Sequence, residues 1–262
     1  MKRAYVDIPE GQIHYQIEGS GEPLVLLHQA SFSSDEFVKL MPILGKHYQV
    51  IVRDMLGYGM SDVNPPNYEI EDYARADVSF LNALGIRRAS FVGVHTGSSI
   101  AVEISIAHPE MVDKLVLYAL PSFVPDIREA CIKSYTFSPV ATESDGSHLI
   151  RRFWRAATKM GPTTTPDIWN MNVTAMAMAR GGAFHGEQAV FRYNEEERLS
   201  LVTSPTLLMS GTKEEFFQQR VEEVMTSIPN CSVKVIEETS SYAVLEQPEE
   251  FAQAVLGFLG RQ

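Results

Sequence analysis

A histidine occupies the centre of the segment that most strongly suggests chemistry. His95 follows an apolar, β-prone run at 89–94 and precedes a helical pattern at 98–108, with Gly93 and Gly97 two residues to either side. Glycines at this spacing are typical of a sharp strand–turn–helix corner, where small residues let the backbone fold back and one side chain is held at the tip. An imidazole at that tip can act as a general base.

The residue types that bind metals, phosphates or cofactors form no recognisable pattern. His, Cys, Asp and Glu do not recur at metal-ligand spacing, and there is no phosphate-binding loop. Gly19 and Gly21 lead into a strand, whereas a dinucleotide fingerprint opens a helix. We therefore expect neither a metal ion nor a cofactor.

Apolar runs that alternate with amphipathic patterns predict the elements that position His95. Residues 4–8 and 12–17 indicate a β-hairpin. Strands buried on both faces and separated by helices favour a parallel α/β sheet. The predicted strands are 23–28, 48–53, 89–94, 113–119, 205–211 and 232–237, and the predicted helices are 35–45, 71–84, 217–228 and 248–260.

This alternation stops between residues 121 and 199, where helical patterns such as 149–159 and 166–180 are rich in Met, Trp, Phe and Arg. We interpret the chain as one composite domain, with 1–120 and 200–262 as its core and 121–199 as a helical cap. Such a cap would cover the carboxyl ends of the strands, where open α/β sheets bind ligands, and give an apolar roof. Within it, His185 is expected at the surface.

Composition limits the partners of the protein. A net charge of −11 over 262 residues, without a local basic cluster, argues against nucleic-acid binding. No apolar run approaches the roughly 18–20 residues that span a membrane. Two widely separated cysteines are typical of free thiols in a reducing compartment. We expect a soluble cytoplasmic protein that acts on a small-molecule substrate, and the sequence does not determine its oligomeric state.

Several motifs together resemble the α/β-hydrolase fold proteins that carry a helical cap, over nearly the whole chain. Residues 26–29 resemble the family's His-Gly loop, and 54–61 match its Asp-x-x-Gly-x-Gly-x-Ser segment. Residues 93–97 occupy the nucleophile elbow, and 245–251 match the stretch after the catalytic histidine. The resemblance implies an α/β fold with a mostly parallel eight-stranded sheet flanked by helices.

The resemblance also implies site positions, and this chain departs from the family at each triad position. His95 stands where the nucleophile is expected, Ser241 where the histidine is expected, and Glu214 where an Asp is usual. The amides of Ala30 and Thr96 correspond to the oxyanion hole, which side-chain exchanges do not delete.

Two further residues lie in the loop that resembles the family's His-Gly loop. His28 is expected to hydrogen-bond this loop or to line the pocket. Gln29 stands where glycine is usual, and its side chain either contacts a ligand or fills the oxyanion hole.

These departures suggest a different arrangement of the same parts. Ser241 is smaller than the histidine it replaces, so it leaves space that the longer side chains of His95 and Glu214 can enter. We expect a His95–Glu214 dyad in which the carboxylate orients the imidazole and raises its basicity. Ser98 and Ser99 are interpreted as helix-start residues rather than nucleophiles, and Asp54 as a brace for its glycine loop.

The predicted function is that of a cofactor-free enzyme with a histidine general base instead of a serine nucleophile. It would act on a small apolar or aromatic carbonyl compound, by ester or C–C bond hydrolysis or by a related lyase or isomerase step. The alternative is a catalytically inactive member that binds a hydrophobic small molecule or a partner protein.

Overall fold

The computed structural model describes residues 1–65, 67–122, 125–134, 143–147, 165–179, 185–214 and 220–260. The predicted helix at 149–159 lies outside these residues.

Eight strands form a single sheet in the order β1-β2-β4-β3-β5-β6-β7-β8. β1 and β2 form the predicted hairpin, β2 pairs antiparallel with β4, and all other neighbours are parallel. The predicted fold class is therefore confirmed. The strands are β1 (Lys2–Ile8), β2 (Gly11–Glu18), β3 (Pro23–Leu27), β4 (Gln49–Arg53), β5 (Ala89–Val94), β6 (Val112–Tyr118), β7 (Thr206–Gly211) and β8 (Cys231–Ile236).

Helices cover both faces of the sheet, and those described between β6 and β7 follow one another without an intervening strand. The α-helices are α1 (Met41–Leu44), α2 (Ile70–Ala83), α3 (Thr96–Ala107), α4 (Pro125–Ser134), α5 (Pro166–Met178), α6 (His185–Arg192), α7 (Glu195–Arg198), α8 (Val221–Ser227), α9 (Ala243–Glu246) and α10 (Pro248–Leu259).

The prediction of one continuous helix at 35–45 is wrong. A 3₁₀ helix at Ser34–Phe37 is followed by the separate short helix α1. Pro42 explains the interruption, because it cannot donate a backbone hydrogen bond and its ring clashes with the carbonyl four residues earlier. Proline is tolerated in the first turn of α1, where backbone amides have no intrahelical acceptor.

The core consists of two apolar layers, one on each face of the sheet. Most residues of the central strands β3, β4, β5 and β6 are buried. A buried ion pair fixes the end of β4, since Arg53 Nε and Nη2 lie 2.6 and 2.7 Å from the two carboxylate oxygens of Asp77 on α2. The loops that leave the carboxyl ends of these strands therefore start from rigid positions.

Candidate active site

His95 lies at the corner between β5 and α3, in a strained backbone conformation. Its φ is +49° and its ψ is −114°, a combination that is costly for any residue with a Cβ atom. The corner is held by hydrogen bonds from His95 N to Tyr118 O on β6 (2.9 Å) and from Ser98 N to His95 O (2.7 Å). The imidazole Nδ1 lies 3.4 Å from Thr96 Oγ1.

The two flanking glycines make this corner possible because neither position has room for a Cβ atom. A Cβ on Gly93 would overlap the Gly97 carbonyl, and a Cβ on Gly97 would overlap the carbonyl of Leu27 at the end of β3. The first turn of α3 is therefore in direct contact with the backbone of β3.

The two amides expected to form the oxyanion hole follow neighbouring strands. Leu27 of β3 pairs with Gly93 of β5, so the Ala30 loop and the His95 corner leave the sheet side by side. Thr96 is the first residue of α3, and its amide has no intrahelical acceptor. Neither the Ala30 nor the Thr96 amide donates to another residue in the described part of the chain. The positive end of the α3 dipole adds to their preference for an anion.

His28 holds two loops together through both ring nitrogens. Its Nε2 accepts from Met55 N at 2.9 Å, so Nδ1 carries the proton and donates to Gln29 O at 2.8 Å. Burial lowers the pKa of His28 to about 4, and the Arg53 charge acts in the same direction. This ring is therefore a neutral structural link between the loop after β3 and the loop after β4.

Gln29 binds a buried carboxyl group rather than leaving its amide nitrogen for a ligand. Its backbone N donates to Glu36 Oε2 at 3.0 Å, and its side-chain Nε2 donates to Glu36 Oε1 at 2.5 Å. Burial raises the pKa of Glu36 to about 8, although the two bonds from Gln29 oppose that shift. No sequence motif singled out Glu36, which falls within the predicted helix at 35–45.

Glu214 and Ser241 lie together at the ends of β7 and β8. Ser241 donates to Glu214 Oε1 from its backbone N, at 2.5 Å, and from its hydroxyl. Burial raises the pKa of Glu214, and the two bonds from Ser241 oppose this effect. The acid and histidine positions of the family are thus adjacent here, while the His95–Glu214 dyad stays a prediction.

Asp54 braces the glycine loop after β4. It accepts from Ser34 N at 2.6 Å and from Met60 N at 2.9 Å, and it lies 2.8 Å from His14 Nδ1. Burial opposes ionisation, but hydrogen bonds led by that from His14 lower the pKa of Asp54 to about 2. The same loop carries Tyr58 to the site.

A contact between Tyr58 and the residues after β6 was missed by sequence reasoning. Gly186 N donates to the buried Tyr58 hydroxyl at 2.9 Å. A Cβ on Gly186 would lie 2.9 Å from this hydroxyl oxygen and 3.1 Å from the Ala30 Cβ. The first turn of α6 therefore packs on the loop that carries the Ala30 amide. Next to this contact, the His185 Nδ1 is buried without a hydrogen-bond partner in the described residues. The only sequence signal was the glycine after His185.

The serines after the corner are turned into the protein. Ser98 Oγ donates to Gly93 O at 2.8 Å and to Tyr118 O at 3.1 Å. Both Ser98 and Ser99 are fully buried. These positions fit the interpretation that the two residues support the start of α3.

Ser99 lies beside Glu195, a carboxyl group that is only 3% exposed. Their contact falls short of hydrogen-bond geometry, and neither group has another partner in the described part of the chain. Burial raises the pKa of Glu195 from 4.5 to about 8. The folded protein therefore keeps a proton on this group over a pH range in which the unfolded chain has lost it.

We expect this carboxyl group to make the protein less stable as pH rises. Between about pH 4.5 and pH 8 the folded state binds more protons than the unfolded state, so the free energy of unfolding falls. Glu195→Gln should remove the part of this fall that Glu195 causes. The free energy of unfolding of the variant, relative to that of the parent, should therefore be higher at pH 8 than at pH 4.5 by about 1 kcal/mol or more. Urea unfolding at the two pH values measures this effect. Glu197→Gln, an exposed position on the same helix, is the control and should show no such change.

Comparisons with known proteins find relatives that match most of this chain. The 2-hydroxy-6-oxo-6-(2'-aminophenyl)hexa-2,4-dienoic acid hydrolase of Metapseudomonas resinovorans is 26% identical over 96% of this chain and 88% of its own. A 2-hydroxy-6-oxononadienedioate/2-hydroxy-6-oxononatrienedioate hydrolase of Paraburkholderia phymatum is 28% identical over 98% and 95%. The solved enol-lactonase of Burkholderia xenovorans LB400 superimposes with a TM-score of 0.82 at 17% identity, covering 98% of this chain and 100% of the other.

An eight-stranded α/β sheet with a strained strand–turn–helix corner beside an amide-bearing loop defines a hydrolase-type scaffold. The family model of the α/β hydrolase fold matches residues 22–248, and the chain belongs to this family. Among the described residues, no group of three or more His, Cys, Asp or Glu is placed to hold a metal ion. No described helix has the length and apolar character needed to cross a membrane.

Proposed function

We propose that this protein is a cofactor-free enzyme that hydrolyses a small apolar or aromatic carbonyl compound, with His95 as its general base. Two of the relatives named above carry the names of oxo-dienoate hydrolases, which supports the substrate class. At the corner this chain has His95, where the family resemblance implies a nucleophile.

The observation that carries this proposal is the strained backbone at His95. A glycine would occupy φ +49° without penalty, whereas a residue with a Cβ atom costs about 1–3 kcal/mol in such regions. Retention of an imidazole under this strain favours a role for the side chain itself. Two amides without partners in the described residues, at Ala30 and Thr96, lie on the adjacent loops.

In the proposed reaction, His95 removes a proton from water as the oxygen attacks the substrate carbonyl. The oxyanion that forms accepts hydrogen bonds from the amides of Ala30 and Thr96. The imidazolium then returns its proton to the leaving group, so that His95 is neutral again at the end of the cycle. Glu214 would stabilise the imidazolium if its carboxylate turns from Ser241 towards the ring.

One observation favours the alternative of an inactive binding protein. Glu214 is already engaged by both donors of Ser241. If this pair does not open, His95 has no carboxylate from this loop to orient it. The protein would then bind a hydrophobic small molecule without turning it over.

Labelling with a fluorophosphonate and turnover of 4-nitrophenyl butyrate separate these possibilities. We expect hydrolysis that persists in EDTA, no covalent label, and a kcat/KM that rises with pH as the imidazole loses its proton. Intact-protein mass spectrometry detects the label. An adduct at Ser98, Ser99 or Ser241 would overturn the proposal in favour of a serine hydrolase. Absence of turnover on this and other aryl esters, together with binding of the ester, would favour the binding protein.

A further inference from the structure

The peptide group that joins Gln29 to Ala30 is held from several directions. The Gln29 carbonyl accepts from His28 Nδ1 at 2.8 Å and from Phe32 N at 3.2 Å. Because a trans peptide is planar, its N–H points opposite to its C=O. Fixing the Gln29 carbonyl therefore fixes the direction of the Ala30 N–H, which has no partner of its own in the described residues.

Glu36 holds the other side of the same residue. Its two carboxylate oxygens accept from the backbone N and the side-chain Nε2 of Gln29, at 3.0 and 2.5 Å. Gln29 is 8% exposed and Glu36 is fully buried, so water does not compete for these bonds. The N–H, C=O and Nε2 groups of Gln29 are thus all bound within the protein. The next amide, that of Ala30, has no acceptor among the described residues.

The scaffold beneath Glu36 is rigid. Glu36 lies in the 3₁₀ helix Ser34–Phe37, whose first residue donates from its N to Asp54 Oδ1 at 2.6 Å. Glu36 N donates to Ser33 O at 3.0 Å. A carboxyl group anchored in this way can transmit its position to Gln29 rather than follow the loop.

We infer that Glu36 is a positioning residue for the oxyanion hole, which aims the Ala30 amide by holding Gln29 with two hydrogen bonds. This inference rests on the proposed function for its effect on rate, but not for its effect on the loop. A charge-neutral glutamine at position 36 keeps an acceptor for the Gln29 N–H, and its NH2 group can donate to the Gln29 side-chain oxygen once that amide turns over, while alanine keeps neither bond.

The first test compares Glu36→Ala and Glu36→Gln with the parent in the hydrolysis of 4-nitrophenyl butyrate. We expect Glu36→Ala to lower kcat by about 10- to 100-fold with KM changed less than about threefold, because a misdirected donor weakens the transition state more than the substrate complex. Glu36→Gln should recover most of the loss. Glu103→Ala is the matched control, because it also truncates a buried, hydrogen-bonded glutamate, but on α3. It should not produce a fall in kcat with little change in KM.

The second test measures the loop without turnover. Hydrogen–deuterium exchange of the peptide that contains residues 28–34 should be at least about tenfold faster in Glu36→Ala than in the parent, Glu36→Gln or Glu103→Ala. If the parent shows no turnover but this exchange pattern appears, the proposed function fails while the positioning role holds. An unchanged kcat in Glu36→Ala with unchanged exchange would overturn the inference, as would equal losses of kcat in Glu36→Ala and Glu103→Ala.

Discussion

Replacing His95 with glycine should greatly lower turnover without destabilising the protein. Glycine adopts φ +49° freely, so His95→Gly relieves strain of about 1–3 kcal/mol at the corner. Greater freedom in the unfolded chain offsets about 0.4–1 kcal/mol of this gain. We therefore expect a free energy of unfolding equal to that of the parent or up to about 1–2 kcal/mol higher, with kcat lowered by about 10²–10⁴-fold through loss of the base.

His95→Ala separates the strain from the chemistry. Alanine keeps the Cβ atom and hence the strain, but it lacks the imidazole. It should lose as much activity as His95→Gly and be less stable than that variant by about 1 kcal/mol. Urea unfolding and the rate of 4-nitrophenyl butyrate hydrolysis are the measurements. Full activity in either variant would contradict a base at position 95, and equal stability of the two would contradict functional strain.

The chemistry of the site was harder to predict from the sequence than the scaffold was. The apolar runs that became β3, β5 and β6 predicted a parallel sheet, because strands buried on both faces cannot tolerate polar residues. Gly93 and Gly97 predicted the corner because their spacing serves local backbone geometry. Such signals come from residues that are close together in the sequence, so they can be recognised in a single sequence.

The hydrogen-bond partners of the site residues depend instead on how the chain folds in three dimensions. Gln29 and Glu36 are seven residues apart, and they meet because the loop after β3 folds back onto the 3₁₀ helix Ser34–Phe37. Glu214 and Ser241 lie in the segments that follow β7 and β8, and their hydrogen bonds compete with the dyad that side-chain size alone suggested. The packing of Gly186 on Tyr58 joins segments 128 residues apart. No local periodicity encodes these contacts.

The second large effect is expected at Gly97, where the corner meets the sheet. A Cβ atom there would overlap the Leu27 carbonyl and lie 2.9 Å from the Leu27 Cβ. Leu27 cannot yield, because β3 is hydrogen-bonded to both β4 and β5. Gly97→Ala must therefore displace the first turn of α3, and we expect it to lower the free energy of unfolding by about 3 kcal/mol. Urea denaturation measures the loss.

The same displacement should affect the site, because Thr96 begins the turn that moves. A shift of its amide away from Ala30 would weaken the proposed oxyanion hole, so surviving folded Gly97→Ala protein should show a lower kcat per folded molecule. Gly257→Ala is the matched control: it lies within α10 with open space around it and should be neutral or more stable by up to about 1 kcal/mol. If Gly97→Ala is as stable as Gly257→Ala, α3 is not in tight contact with β3. The shape of the corner would then depend on the hydrogen bond between His95 and Tyr118 rather than on this contact.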